Sequence, residues 1–360
     1  MANYAKEIII PKESGIFRTV FLYVGQGDST LLIVPNGEHY KFVLIDTNND
    51  KKNCGIDNIA LLKDLLDESL DVFINTHPHK DHLTGIKEIY KAIGIKEIWH
   101  SGHKPGRDYD EAYQEMKEVL KSMCNENEFI LFGTNDLNKI RKADKETEII
   151  KKIGEVDFII LAPAEFVSED IDNETPKDRN KRIHEQCSVI KFSYGREEKK
   201  LLITGDSDKK AWKDYISYHN DKLPSQILKA SHHGSRTFFK DNEEDNDPFE
   251  KHIEKINPSY VIISAPKQSE SSHGHPHDDS LKLYQKHIDE TNILHLGKNR
   301  ECVIVDIDKD GKIEIKIKNN KDLVEHYGFS QDKNGSNLKN TLKTERIGLI
   351  TPKIDRKPMG

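Results

Sequence analysis

The chain alternates short apolar runs with longer stretches in which apolar residues recur every three or four positions. The short runs, bounded by turn residues, predict β-strands, and the three-to-four spacing predicts amphipathic helices. Strands are predicted at Thr19–Val24, Thr30–Val34, Lys41–Ile45, Val72–Asn75, Val156–Ala162, Ser188–Ser193, Leu201–Thr204, Gln226–Ala230, Tyr260–Ser264, Cys302–Ile307 and Ile313–Ile317. Helices are predicted at Ile59–Leu66, Gly85–Ile93, Tyr109–Cys124, Lys209–Tyr218, Pro248–Ile256 and Asp279–Glu290. Strands and helices are interleaved, which indicates a mixed α and β protein.

Three segments depart from this pattern. Asn135–Lys152 is highly charged and Glu165–Arg182 is polar, and both look like insertions within residues 103–183. From Asn319 the chain is rich in Lys, Asn and Gly, which favours a loose end. We therefore predict one domain over residues 1–318 and a polar, basic tail over 319–360. The tail could recruit a protein partner, although it carries no motif that names one.

Composition sets the class of protein. A chain of 360 residues, 35% of them hydrophobic, can bury the core of one large domain. No stretch approaches the roughly 18 apolar residues of a membrane helix, and the N-terminus lacks a signal-like apolar run. We expect a soluble cytoplasmic protein that binds no membrane. The net charge of −7 does not exclude nucleic acid, because local potential matters more than the total. The cysteines have no CxxC spacing, which favours reduced thiols at Cys54, Cys124, Cys187 and Cys302.

The stretch INTHPHKDHLTG, from Ile74 to Gly85, holds three histidines and an aspartate directly after a predicted strand. Sites in α/β layers form at the carboxyl ends of strands, and the spacing HxHxDH lets side chains of one turn converge on one point. Imidazole and carboxylate together suit zinc, manganese and iron. The sequence therefore predicts metal ligands among His77, His79, Asp81 and His82.

Five other stretches accompany this segment, namely FLYVGQGDSTLLIV (Phe21–Val34), FVLIDT (Phe42–Thr47), LLITGD (Leu201–Asp206), ILKASHHGS (Ile227–Ser235) and HGHPH (His273–His277). Together the six stretches resemble the metallo-β-lactamase fold superfamily, and within it the branch of the nuclease-like domain of the competence protein ComEC. The resemblance spans about Thr19 to Ile317. It implies an αββα sandwich with two mixed β-sheets flanked by helices, and two divalent metals at one edge of the sheets.

The resemblance implies roles for individual ligands. His77 and His79 would bind the first metal, and Asp81 and His82 would bind the second. Asp206 would bridge them, because a shared carboxylate offsets the repulsion between two cations about 3.5–4 Å apart.

The remaining histidines leave alternatives open. His184 is either a ligand of the first metal or a histidine of a surface loop. The resemblance favours His233 as a ligand of the second metal and His232 as a residue facing the substrate, and the reverse assignment is the alternative. His275 would bind a phosphate oxygen or protonate the departing alkoxide. The expected catalytic residues are His232, His275 and Asp81.

Residues around the ligands are expected to support them. Asp46 resembles the aspartate that hydrogen-bonds the histidine loop and holds it in shape. Gly25 and Gly27 of VGQGDS predict a tight turn between strands rather than a phosphate-binding loop. Lys229 and Ser235 are close to the ligands in sequence and could contact an anionic substrate.

These residues predict a metal-dependent hydrolase in which two cations generate a hydroxide nucleophile. The resemblance implies a phosphodiesterase, and most specifically a nuclease, because the ComEC-like domain is associated with DNA degradation and similar proteins occur in bacterial defence. The alternative is a small-molecule hydrolase acting on a phosphorylcholine-type ester, a lactone, a lactam or a thioester. A catalytically silent scaffold is a third reading, which the full ligand set disfavours. Zinc is the expected metal, and manganese is the alternative.

Overall fold

In the part of the chain that the structure describes, the strands form two β-sheets of ten and seven strands. The structure, a computed structural model, describes residues 4–53, 55–105, 110–123, 127–133, 138–142, 147–148, 150–164, 175–317 and 321–329. Its strands are β1 (Phe17–Phe21), β2 (Thr30–Asn36), β3 (His39–Ile45), β4 (Leu70–Asn75), β5 (Ile95–His100), β6 (Glu128–Gly133), β7 (Asn138–Lys142), β8 (Thr147–Glu148), β9 (Lys152–Ile153), β10 (Val156–Ala162), β11 (Val189–Tyr194), β12 (Lys199–Ile203), β13 (Ile227–Lys229), β14 (Tyr260–Ile263), β15 (Ile293–His295), β16 (Val303–Ile307) and β17 (Ile313–Lys316).

The helices connect these strands and begin at residues that suit a helix start. Side chains of Asp57, Asp110 and Asp208 accept hydrogen bonds from backbone N–H groups of the first turns that follow them. Such caps satisfy donors that the helix itself cannot pair. The helices are α1 (Tyr4–Ile9), α2 (Asn58–Leu65), α3 (Ile86–Ala92), α4 (Glu111–Ser122), α5 (Pro176–Glu185), α6 (Lys209–His219), α7 (Lys251–Ile256), α8 (Asp278–Gln285), α9 (Leu296–Asn299) and α10 (Lys321–Tyr327).

Both sheets are mixed, and each contains a parallel block. The first sheet has the order β17-β16-β1-β2-β3-β4-β5-β6-β7-β8, and the second has the order β15-β14-β13-β12-β11-β10-β9. Strands β3 to β6 are parallel in the first sheet, and strands β12 to β15 are parallel in the second. Ligand sites form at the carboxyl ends of such strands. The histidine loop follows β4, Asp206 follows β12, and the HHGS segment follows β13.

Alternate residues of the second sheet pack into different parts of the core. Leu201 and Ile203 of β12 join a buried cluster that also contains residues of the first sheet, such as Val20 and Phe73. Leu202, between them, packs in a second cluster with residues of α6, α7 and α8. Since successive side chains of a strand point to opposite faces, this sheet is covered on both sides. The αββα architecture with two mixed sheets and flanking helices, expected from the sequence, is confirmed.

Some elements lie where the sequence predicted none. The end of the expected polar loop Glu165–Arg182 forms helix α5, which begins after the cap Thr175 and buries only Arg182 and Ile183. Because so few apolar residues are buried, no apolar spacing could reveal this helix. The short strands β5 and β6 were also not predicted.

The C-terminal region continues beyond the domain end expected at residue 318. Helix α10 buries Leu323 and Tyr327, and Gly328 forms a β-bridge with Ile56. The tail from 330 to 360 and residues 135–137, 143–146 and 149 of the charged segment Asn135–Lys152 lie outside the described residues. Cys187 and Cys302 are buried free thiols, and Cys54 and Cys124 are not among the described residues. Within the described part of the chain, every helix is too short or too polar to cross a membrane.

Candidate metal centre

The histidine loop leaves β4 and is held in place by Asp46. Asp46 follows β3, the parallel neighbour of β4, and only 2% of it is exposed. One of its carboxylate oxygens accepts a hydrogen bond from Thr76 N at 2.8 Å. The other accepts hydrogen bonds from Thr76 Oγ1 at 2.6 Å and His82 Nδ1 at 2.8 Å. Since His82 Nδ1 donates its hydrogen bond to Asp46, the lone pair of Nε2 is the one that can coordinate a cation.

A first ligand group consists of His77, His79, His184 and Asp206. Each residue offers one ligand atom, and these atoms all lie within 4.8 Å of one another. His77 Nε2 is 3.1 Å from His79 Nδ1 and 3.6 Å from Asp206 Oδ2. Two ligand atoms on one tetrahedral zinc ion are about 3.4 Å apart, because each bond is about 2.1 Å long. The spacing therefore fits one cation.

His184 joins this group from the last turn of α5. The centroid of its ring is 4.9 Å from that of His79 and 6.0 Å from that of His77. The sequence left open whether His184 is a ligand or a histidine of a surface loop. The structure brings it to the other ligands, on a helix that the sequence did not predict.

A second ligand group consists of Asp28, His82, Asp206 and His233. His82 Nε2 lies 3.3 Å from His233 Nε2 and 3.3 Å from Asp206 Oδ1. Asp81, the expected carboxylate ligand, also reaches this group, and its Oδ2 is 3.3 Å from His233 Nε2. These atoms again have the mutual spacing of ligands around one cation.

Asp206 belongs to both groups, as a bridging carboxylate must. Its Oδ1 faces His82, and its Oδ2 faces His77. Oδ1 is buried and has no hydrogen-bond partner among the described residues. A buried polar atom without a partner is costly, so this oxygen is placed to bind a cation. The chemistry of both groups, imidazole nitrogens around a shared carboxylate, fits two divalent cations.

The imidazoles of the two groups are in different electrostatic environments. Burial lowers the pKa of His79 well below its ordinary value and lowers that of His184 to about 4. Burial also acts to lower the pKa of His82 and His233, but nearby carboxylates outweigh it. The pKa of His82 is raised well above its ordinary value, and that of His233 is raised to about 10. The second group is therefore the more anionic of the two.

The adjacent histidines His232 and His233 point toward different groups. Both have left-handed backbones, with φ of 49° and 55°, in the short turn that follows β13. Non-glycine residues adopt this conformation rarely, and it is found preferentially at functional sites. The ring centroid of His232 is 4.5 Å from that of His184, whereas that of His233 is 5.1 Å from that of His82. The structure places His233 in the second ligand group and His232 outside both groups.

His275 lies beside His232 at the edge of the centre. Their ring centroids are 5.2 Å apart, and His275 is 5% exposed. Its Nδ1 has no hydrogen-bond partner within the described part of the chain. Burial lowers the pKa of His275 to about 3, so that the imidazole is neutral. The side chain can therefore offer a hydrogen bond to a molecule bound at the centre.

Lys229 and Ser235, which we expected to be available to a substrate, are both buried. Lys229 is 2% exposed, and its ammonium group forms an ion pair with Asp28. Ser235 is 2% exposed and accepts a hydrogen bond from Thr237 N at 3.3 Å as the cap of a short turn. The contact of either side chain with a substrate stays a prediction, because charge and proximity in sequence do not reveal which way a side chain points.

The sequence did not identify Asp28 as part of the site. The sequence predicts VGQGDS to be a structural turn, and the backbone conformation at Gly27 is indeed one that favours glycine. Its φ is 121°, and a side chain there would collide with the carbonyl oxygen of Asp81. The same turn also brings Asp28 to the second ligand group. The signal that could have found it is a buried aspartate directly after a glycine turn, which is uncommon without a partner.

The chain is similar to several proteins of known structure at low sequence identity. YhfI from Bacillus subtilis, a metallo-beta-lactamase fold protein, matches 83% of this chain and 100% of its own at 13% identity, with a TM-score of 0.41. A diphosphatase of the PhnP family matches 84% of this chain and 98% of its own at 13% identity, with a TM-score of 0.38. Igni18, a metallo hydrolase from the archaeon Ignicoccus hospitalis, matches 83% and 98% at 12% identity, with a TM-score of 0.41. Comparison with curated protein sequences finds no significant match.

The family profile of the Metallo-beta-lactamase superfamily matches residues 24–244, more than half of the chain. The matched segment contains the histidine loop, His184, Asp206 and the HHGS turn. These are the residues that build the two ligand groups around one shared carboxylate. The chain belongs to the metallo-beta-lactamase superfamily.

Proposed function

We propose that the protein is a metal-dependent phosphodiesterase and, more specifically, a nuclease of the ComEC-like type that acts on DNA. The observation that supports this most directly is the buried Asp206, shared by two ligand groups. Two-cation sites with a shared carboxylate are suited to phosphate esters, because both the attacking and the leaving oxygen carry negative charge in the transition state. Zinc is the proposed metal, and manganese is the alternative.

Two bound cations would acidify a water molecule and stabilise charge on the phosphate. The chain itself must then accept the proton of the attacking water. Asp81 is suited to this role because 30% of its side chain is exposed, whereas only 2% of Asp206 is. Burial acts to raise the pKa of Asp81, but its hydrogen bond from His233 and the charge of His82 lower it well below its ordinary value. The carboxylate is therefore ionised and able to take part in proton transfer.

His232 would serve the leaving oxygen. Its Nδ1 is 2.9 Å from Thr237 Oγ1, and its Nε2 is 3.6 Å from Asp206 Oδ2. Burial lowers the pKa of His232 well below its ordinary value. A bound phosphate anion would raise that pKa again, so the imidazole gains its proton when the substrate that needs it is present. His275, next to it, would donate a hydrogen bond to a phosphate oxygen.

The experiment is a substrate panel on metal-free protein resupplied with zinc or manganese. The panel contains labelled single- and double-stranded DNA and RNA, bis(p-nitrophenyl) phosphate, and a chromogenic lactam. Asp206→Ala is the inactive variant. The control is His287→Ala, which removes an exposed histidine that is bound only to Glu250 in the described structure. Metal-dependent cleavage of DNA that is lost in Asp206→Ala and kept in His287→Ala is the expected result.

Other outcomes reject the proposal in distinct ways. Turnover of the lactam with every phosphodiester intact would point to a small-molecule hydrolase. Cleavage of bis(p-nitrophenyl) phosphate alone would support a phosphodiesterase and reject the nuclease. A protein that binds two cations and turns over nothing on the panel would exclude both the phosphodiesterase and the lactam hydrolase.

A further inference from the structure

Asp28, which lies within ligand distance of the other members of the second group, forms a buried ion pair with Lys229. Only 5% of the Asp28 side chain and 2% of the Lys229 side chain are exposed. Asp28 Oδ1 is 3.6 Å from His233 Nδ1, and Asp28 Oδ2 is 3.8 Å from His82 Nδ1. One carboxylate therefore contacts two imidazoles of the same group.

Both contacts are to the nitrogens that face away from the cation position. The Nε2 atoms of His82 and His233 lie 3.3 Å from each other and close to Asp206 and Asp81. The Nδ1 atoms are already engaged. That of His82 donates to Asp46 at 2.8 Å, and that of His233 donates to the carbonyl oxygen of Ser264 at 2.9 Å. Asp28 thus lies on the outer edge of both rings, where it can act through its charge.

The backbone at Gly27 and Asp28 is hydrogen-bonded to residues next to His82 or in contact with His233. Asp28 N donates a hydrogen bond to the carbonyl oxygen of Asp81 at 3.1 Å. Ser264 Oγ donates to the carbonyl oxygen of Gly27 at 2.8 Å, and the carbonyl oxygen of the same Ser264 holds His233. The glycine turn therefore connects the histidine loop with the partner of His233. Asp28 cannot move without disturbing one of these connections.

We propose that Asp28 is a positioning residue for the second cation, and that Lys229 is its structural counter-ion. The negative charge of Asp28 favours imidazoles that carry their proton on Nδ1 and leave Nε2 to the cation. Lys229 keeps the carboxylate ionised in a buried place, where an unpaired charge would be destabilising. Asp28 then orients His82 and His233 and does not bind the cation itself. Asp81 is the ligand that completes the second group in its place. This inference rests on the binding of two cations and does not depend on which bond is cleaved.

The test compares Asp28→Asn with the double variant Asp28→Asn/Lys229→Met in the full chain. The affinity for each of two zinc ions is measured by competition with a chromogenic chelator. The visible spectrum of the cobalt-substituted protein and the melting temperature of the metal-free protein are the other measurements. Removing a residue that orients ligands typically weakens metal affinity by about 10–100-fold, so Asp28→Asn should weaken the second zinc by that factor and leave the first unchanged.

The double variant separates positioning from folding. Asp28→Asn alone strands a buried lysine and should lower the melting temperature, and Lys229→Met should restore it. If the proposal is correct, the second zinc still binds weakly in the double variant, and its cobalt spectrum still differs from that of the original protein. Asp306→Asn is the matched control, because it breaks another buried ion pair, with Arg18 at 2.6 Å. It should lower the melting temperature without changing either zinc affinity.

Two results would overturn the inference. The first is a double variant with normal stability and normal affinity for the second zinc, which would make the pair purely structural. The second is an equal loss at both cations, which would mean that Asp28 supports the whole centre. If the unmodified protein binds fewer than two cations, the proposed two-cation function is rejected instead. Failure of the inference about Asp28 and failure of the proposed function therefore give different results.

Discussion

The two ligand groups share Asp206 but are built differently. The first group consists of the imidazoles of His77, His79 and His184 and the shared carboxylate of Asp206. Burial lowers the pKa of His79 and of His184. In the second, the carboxylates of Asp28, Asp46 and Asp81 contact His82 or His233. Burial removes water from both groups, but only the second replaces it with several negative charges. We therefore expect the second group to hold its cation more tightly.

The largest effect is expected from Asp206→Asn, which removes the element common to both groups. A bound cation contributes several kcal/mol of transition-state stabilisation, so hydrolysis should fall by about a thousandfold. Both cation affinities should weaken together, as measured by chelator competition. Asp214→Asn, the same change on the exposed face of α6, is the control and should change neither. Loss of one cation only would show that Asp206 is not a bridge.

Separate loss of each cation is expected from His184→Ala and His233→Ala. Four ligands of a zinc site together supply about 10–16 kcal/mol, so one ligand is worth about 3 kcal/mol, or roughly a hundredfold in affinity. His184→Ala should weaken only the first cation, and His233→Ala should weaken only the second. Titration of the metal-free proteins with cobalt, followed by visible absorption, distinguishes them. If His184→Ala binds both cations normally, His184 is a surface histidine and the first group is incomplete.

A smaller effect, about tenfold in affinity, is expected when the support behind a ligand is removed. Asp46→Asn weakens the acceptor of His82 Nδ1 and should act mainly on the second cation. Thr76→Val removes the hydroxyl that lies 3.1 Å from His77 Nδ1 and also donates to Asp46, so it should act more on the first cation than Asp46→Asn does. The two variants are compared by zinc competition. Identical losses at both cations in both variants would mean that the histidine loop responds as one unit.

The smallest effect concerns an imidazole outside the centre. His252 lies among aromatic rings, including those of Trp212, Phe238 and Phe249, and burial lowers its pKa to about 3. Like His79 and His184 of the first group, His252 has a pKa lowered by burial, but it is not a metal ligand. The unfolded chain, with an ordinary histidine pKa of about 6.5, binds more protons than the folded protein between these two values. The free energy of unfolding should fall as the pH falls through that window.

From pH 7 to pH 5.5, His252 alone should account for about 1 kcal/mol of this loss. The measurement is urea unfolding of the metal-free protein and of His252→Phe at both pH values. The variant should lose less stability on acidification, because its ring has no proton to gain. An equal loss in both proteins would mean that the pKa of His252 is ordinary and that burial alone does not lower it.

Much of the fold could be predicted because the strands bury apolar residues on both faces. The runs Val156–Ala162 and Tyr260–Ser264 were predicted to within one residue of the strands in the structure. Helix α5 was missed because it is polar and buries few residues, although it carries His184. Strand β5 was missed because its exposed Lys96 and half-buried Glu97 interrupt the apolar run. Elements that bury few apolar residues, or whose apolar run is interrupted by charged residues, leave a weak pattern in the sequence.

The order of apolar runs and histidines was enough to predict a mixed α and β protein with a histidine-rich metal site, because buried strands need apolar runs and metals need imidazole and carboxylate ligands. Which side chains share a cation became visible in the folded chain. Folding turned His232 and His233 toward different groups, buried Lys229 against Asp28, and brought His184 to the loop after β4. Direction and distance depend on backbone conformation and on contacts between residues far apart in the chain, whereas residue type specifies only the chemistry that is available.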